Sequence, residues 1–256
     1  MASTQPPQVI MNLTDRTFWL NYWESKSDLV FQVQSNYPFI RELERIVTTR
    51  KPKTMLEIGG FPGYYCAWLK KHLNLDSTLL DFVVHHRILN ELETANGLPN
   101  GAVGVIETDL FAYNSDSKFD LVTSNGLIEH FEDTSQIIQK HIDQLQNNGT
   151  LFITLPNFKS LNGWFQKTFD PSNYSKHNID CMDIDFLKKV CNDLKLRQIN
   201  VRYDGRFMLW LENENQKPLW VRIFKKVLWL PLKVIFKIIP IETKAFSPYI
   251  VVTAVK

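Results

Sequence analysis

Apolar and aromatic side chains recur at helical spacing from about residue 15 to residue 50, where Lys51-Pro52-Lys53 breaks the pattern. This predicts a helical cap over residues 1–50. Short apolar runs follow at 54–58, 78–82, 103–108, 120–124 and 150–155, separated by stretches long enough to hold helices. Runs of that length read as buried strands, and their alternation with helices predicts a parallel, doubly wound sheet. Residues 64–73 carry helical periodicity. So do 135–146, which end at Asn147-Asn148-Gly149, residues suited to stopping a helix and turning the chain.

Beyond residue 155 the pattern changes. Residues 156–181 are rich in Asn, Ser and aromatics and read as a loop, longer than most connections in a compact domain. A helix over 183–195, a strand over 197–203 and a last strand over 247–256 follow, with a basic, apolar insertion at 219–241 between the two strands. The division predicted is one domain over 1–256: a cap at 1–50, a core at 51–156, a lid or acceptor loop at 157–182 and a C-terminal part at 183–256.

Composition narrows the class. A chain of 256 residues that is 44% hydrophobic can bury one substantial core. A net charge of +2 gives no overall electrostatic case for nucleic-acid binding. Cys66, Cys181 and Cys191 lie far apart without a CxxC pair, which fits neither a disulfide framework nor a zinc site and suggests reduced thiols in the cytoplasm. Residues 1–12 lack the basic and apolar regions of a secretory leader. His85-His86 is a tempting metal pair, but adjacent helical residues do not face each other and no matched cluster accompanies them, so no metal site is expected.

The chemistry concentrates where strands end. Leu56-Glu57-Ile58-Gly59-Gly60-Phe61-Pro62-Gly63 stands at the turn from the first strand into a helix, where glycine allows close approach of a ligand to the backbone. A dinucleotide site would want G-x-G-x-x-G, a spacing this run lacks. Acid, apolar residue, glycine and a later glycine (Glu57, Ile58, Gly59, Gly63) instead resemble the first motif of class I S-adenosylmethionine (SAM)-dependent methyltransferases, with Phe61 replacing the middle glycine. The resemblance continues through Asp81-Phe82, Asp109-Leu110, the run from Phe119 to Phe131, and the turn from Asn148 to Pro156. It implies a Rossmann-like, seven-stranded, mostly parallel sheet with flanking helices, a SAM-binding core at 51–156, and S-adenosyl-L-methionine as cofactor. The cofactor-binding residues it implies are Glu57, Gly59, Gly60, Phe61, Gly63, Asp81, Phe82, Asp109, Leu110, Asn125 and Gly126. Asp81 would hold the ribose hydroxyls and Asp109 the adenine amino group.

Methyl transfer from a sulfonium leaves the protein mainly to position donor and acceptor, but an oxygen acceptor must also lose a proton. His130 and His177 are the candidate bases, because imidazole titrates near neutrality, with Glu129 as an orienting or acceptor-binding carboxylate. A packing role for His130 and a plain loop role for His177 remain open. Tyr22-Trp23-Glu24 and Trp164, Phe165, Phe169 and Tyr174 are candidates to cover the cofactor.

In the insertion, Arg222, Lys225, Lys226, Lys233 and Lys237 fall within roughly 120° of arc at about 100° per residue, and apolar side chains fill the rest. Pro231 would kink or divide the helix. Such a stripe suits a helix lying on an anionic membrane surface, and equally a face buried on the domain or in a dimer. Central lysines argue against a bilayer span. The reading drawn is methyl transfer to a small-molecule, glycan or lipid-linked acceptor, at oxygen, in the cytoplasm or on the inner face of a membrane. The alternatives are a non-catalytic scaffold of the same fold and an NAD-dependent oxidoreductase.

Overall fold

The structure, a computed structural model, describes residues 13–238 and 242–256, apart from the side chain of Lys237. The expectations for residues 1–12 and for 239–241 of the insertion lie outside the described residues. Seven strands form one sheet in the order β3-β2-β1-β4-β5-β7-β6: β1 (Thr54–Ile58), β2 (Asp76–Asp81), β3 (Gly104–Glu107), β4 (Phe119–Asn125), β5 (Leu145–Pro156), β6 (Arg197–Asp204) and β7 (Tyr249–Val255). The first five pair in parallel, while β7 runs antiparallel to both β5 and β6. Reversal between β1 and β4 opens a crevice at the carboxyl ends of the strands, the usual ligand position in such sheets.

Alternation along each strand separates two cores. Leu56, Val122 and Leu151 face one layer with Ile138 and Ile250; Met55, Leu121 and Phe152 face the other with Leu43, Leu69 and Leu79. The first layer is covered by α5 (Thr134–Gln144) and α8 (Ile184–Asp193), the second by α2 (Ile40–Arg50), α3 (Tyr64–Leu73) and α4 (His86–Ala95). Within α5, His141 is fully buried and joins the Ile137 carbonyl to Ser124 Oγ of β4. Burial pushes its pKa down to about 4, so it is a neutral tie holding α5 against the end of β4.

Three expectations need correction. The cap is not one helical unit: α1 (Arg16–Glu24) and α2 are joined by a non-helical stretch, and α1 sits on the carboxyl edge of the sheet. Asp15 caps it by accepting from Phe18 N, Arg16 pairs with Glu107 at the end of β3, and Leu13 N donates to the His130 carbonyl. Second, Asn147-Asn148-Gly149 does not cap a helix. The α5 helix ends at Gln144, and β5 starts at once, with a bulge between the pairs Phe119–Leu145 and Leu121–Thr150. Asn148 takes a positive φ of 65° and pairs through its main chain with Lys256.

Third, residues 156–181 are not simply a loop, since they carry α6 (Leu161–Phe169) and α7 (Pro171–Tyr174). The face that α6 buries includes Asn162, Gly163 and Gln166 beside Phe165, so no apolar period announces it. Phe165 joins Phe207, Leu209 and Leu211 with Val221 and Phe236 of α9 (Leu219–Ile238) in a third, smaller core. The α9 helix runs continuously through Pro231.

Candidate active site

The turn after β1 is built from three tight fits. Gly59 has φ 64° and donates to the Leu80 carbonyl, and Gly63, φ 95°, heads α3. A Cβ on Gly60 would overlap the Glu57 side chain. Glu57 lies beneath the turn, accepting from Cys66 N at 2.9 Å, and burial pushes its pKa up to about 7. Asp81, at the end of β2, accepts from Phe61 N (2.9 Å) through Oδ2 and from Val83 N (3.2 Å) through Oδ1. Its pKa is pushed up to about 6 by burial. Phe61 follows from the same geometry. Preceding Pro62 through a cis peptide bond, it is buried with its ring edge-on to Trp23 of α1 at 5.1 Å.

A slot opens from this turn along the strand ends. Its walls are Ile58, Gly59, Asp81, Phe82, Asp109, Leu110, Gly126, Leu127 and Phe131, and Thr14, Trp19 and Trp23 close it from the α1 side. Asp109 holds its own turn by accepting from Phe111 N at 2.9 Å. Asn125 accepts from the Thr154 hydroxyl, and Gly126, φ 65°, donates to the Thr154 carbonyl. An adjoining chamber shares Trp19, Trp23, Gly59, Gly126 and His130 with the slot and adds Glu57, Gly60, Phe61, Asn125, Glu129 and His177.

Of the cofactor residues expected from the sequence, all but Gly63 line one of these two spaces; Gly63 shapes the turn from behind. His130, His177 and Glu129 meet in the chamber. Glu129 and His130 ride on a short 3-10 turn, Ile128–His130, directly after β4, whereas His177 follows α7. The His130 and His177 rings lie 4.8 Å apart, His130 edge-on to Trp19 and His177 edge-on to Phe158. Burial pushes Glu129 up to about 8 and His130 down to about 3, and also lowers His177. Both imidazoles are therefore neutral near pH 7, each with one ring nitrogen free to accept a hydrogen bond.

Some sequence expectations fall elsewhere. Tyr22 and Trp23 line the chamber, but Glu24 is exposed. Phe165 and Phe169 pack toward α9, Trp164 is exposed beside them, and Tyr174 stacks on Phe158 instead of lining the pocket. Trp19, Tyr37, Tyr64, Tyr65, Trp210, Glu212 and Tyr249 line the chamber without having been singled out. They come from five separate parts of the chain, so no short motif could reveal them.

A family model described as a methyltransferase domain matches residues 31–199. No curated protein sequence matches the chain. Solved structures share the fold at low identity. A SAM-dependent methyltransferase from Archaeoglobus fulgidus is 16% identical, with a TM-score of 0.52, covering 84% of this chain and 92% of that one. Phosphoethanolamine N-methyltransferase 2 of Haemonchus contortus, in complex with SAM, is 16% identical with a TM-score of 0.53, covering 84% of this chain and 52% of that one. A plantazolicin methyltransferase in complex with S-adenosylhomocysteine (SAH) is 15% identical with a TM-score of 0.53, covering 94% and 90%. Glycine turn, acids at successive strand ends and family match agree: the chain belongs to the methyltransferase-domain family and is a class I SAM-dependent methyltransferase.

Proposed function

We propose that this methyltransferase transfers the methyl group of SAM to a hydroxyl oxygen of a small-molecule, glycan or lipid-linked acceptor. The observation that carries the reading is the group of buried Glu129 and His130 with half-buried His177, which borders the chamber next to the slot. Adenosine would lie between Asp81-Phe82 and Asp109-Leu110, which line one slot: Asp81 would take the ribose hydroxyls and Asp109 the adenine amino group, through lone pairs their main-chain bonds leave free. Glu57, Gly59, Gly60, Phe61, Asn125 and Gly126 would border the methionine end, with Gly63 fixing the turn.

When bound, SAM supplies the electrophilic methyl group, so the chain's own work is positioning, exclusion of water and handling of the acceptor proton. Trp19 and Trp23 exclude water above the slot, and the trio polarises the hydroxyl. Calorimetric titration with SAM, SAH and NAD, followed by methyl-transfer assays on hydroxyl and amine acceptors, tests the reading. Binding of SAM and SAH alone, with turnover on hydroxyls, is expected; His130→Ala should cut turnover at least tenfold with SAM affinity nearly unchanged. Turnover confined to amines would overturn the oxygen assignment. SAM binding without turnover on any acceptor would favour a scaffold, and NAD binding in place of SAM the oxidoreductase.

A second observation favours work on the cytoplasmic face of an anionic membrane. Among the described residues no helix is long and apolar enough to cross a bilayer, but α9 has three distinct faces. Val221, Leu228, Trp229, Leu232 and Phe236 pack on the domain. Leu219, Trp220, Ile223, Val227, Leu230, Val234 and Ile238 are exposed, Leu219 and Val227 at 67%. Arg222, Lys226 and Lys233 lie between those faces at about 100° per residue. An apolar face edged by cations, with Trp220 in it, matches anionic lipid. Ile223→Ser/Val227→Ser/Leu230→Ser should reduce partitioning onto phosphatidylglycerol vesicles at least tenfold, with melting and SAM binding retained. Equal partitioning of variant and parent would overturn the membrane reading. Loss of a dimer in the variant, by sedimentation, would give the face to a second copy.

A further inference from the structure

The expectation of no metal site rested on residues adjacent in sequence; the fold assembles a different set from distant ones. Both imidazoles of the chamber are oriented alike. His130 Nδ1 lies 3.1 Å from the Lys176 carbonyl and His177 Nδ1 lies 2.8 Å from the Asn173 carbonyl. A carbonyl oxygen only accepts, so in each ring Nδ1 carries the proton and Nε2 presents its lone pair. Main-chain carbonyls holding Nδ1–H in this way are the usual support of ligating histidines.

Glu129 supplies the third donor. It is 1% exposed, and its Oε2 has no hydrogen-bond partner. Burial without a cation disfavours its charged form, and a polar atom left unpaired at this depth calls for an explanation. The nearest lysine in sequence, Lys176, extends over the Phe18 ring. Ligand atoms of the three residues all lie within 4.8 Å of one another. A centre no more than about 2.8 Å from each therefore exists, against bonds of about 2.0–2.2 Å for zinc to nitrogen or oxygen. Side-chain adjustment of under about 1 Å closes that difference.

We propose that Glu129, His130 and His177 form a site for one first-row divalent transition-metal ion facing the acceptor pocket. Two imidazoles disfavour Mg2+ and Ca2+, which prefer oxygen ligands, and suit Zn2+, for which Co2+ is a spectroscopic substitute. Cys181, whose thiol donates to the Asn178 carbonyl and is kept protonated by burial, is not a ligand. Three protein ligands leave a position open on the chamber side, as in catalytic sites. That position would take the acceptor oxygen and lower the pKa of its hydroxyl. The hydroxyl proton leaves to solvent; the oxygen lone pair forms the new O–CH3 bond, and the S–CH3 electron pair stays on sulfur, giving neutral SAH. This role rests on the oxygen-acceptor reading, whereas binding of the ion does not.

The test uses the full untagged chain, stripped with chelator and desalted after incubation with Zn2+ or, separately, Co2+. One equivalent of zinc by elemental analysis and visible ligand-field bands with Co2+ are expected. Glu129→Gln and His177→Ala should each bind metal at least tenfold more weakly while melting cooperatively and still binding SAM. Retention of less than a tenth of an equivalent, or equal retention by the folded variants, would overturn the site. Full turnover on a hydroxyl acceptor by metal-free protein would remove the ion's role and leave the oxygen reading standing. Tight metal binding with turnover only on amines would do the reverse.

Discussion

Asp81→Ala is expected to weaken SAM binding at least a hundredfold. In the proposed binding mode its carboxylate accepts both ribose hydroxyls, and hydrogen bonds to a charged group are worth about 1.5–3 kcal/mol each. Loss of both is about 3 kcal/mol or more, and each 1.4 kcal/mol is about tenfold in affinity. The same carboxylate holds Phe61 N and Val83 N, so its removal also unpairs two main-chain donors of the pocket wall. Asp81→Asn, which keeps one acceptor oxygen and the side-chain volume, should lose less. Calorimetric titration of the three proteins measures the series, and an unchanged affinity in Asp81→Ala would contradict the assignment of the ribose to β2.

The second large effect concerns stability and lies outside the pocket. A Cβ on Gly163 would overlap the carbonyl oxygen and carbon of Phe158, which are main-chain atoms and cannot swing aside as a flexible side chain would. Gly163→Ala therefore forces α6 bodily away from the segment after β5, and overpacking of this kind costs about 3 kcal/mol. Because α6 carries Phe165 into the core it shares with α9, the loss should spread to the Phe207, Leu209 and Leu211 cluster. Denaturant unfolding should give a correspondingly lower midpoint. A variant as stable as the parent would contradict the close approach of α6 to the Phe158 main chain.

The two predictions differ in how far ahead of the structure they could be seen. Asp81 follows a strand legible as an apolar run, and its place relative to Gly59 and Asp109 follows from the parallel order of successive strands. Gly163 carries no local signal, since its neighbours Asn162 and Gln166 are polar yet buried.

What the sequence by itself determined was the β1–β5 frame, the glycine turn and the acids at strand ends. Buried parallel strands must be short, continuous apolar runs, and tight turns must draw on the few residues that tolerate them. Both constraints act within a few residues of chain. Only the tertiary structure decided that α1 would turn Trp19 and Trp23 over the slot, that α6 would form around buried polar residues, and that His177 would meet Glu129 and His130. Those outcomes depend on contacts between segments tens of residues apart, whose free energy is realised only when the sheet brings them together, so no local pattern encodes them.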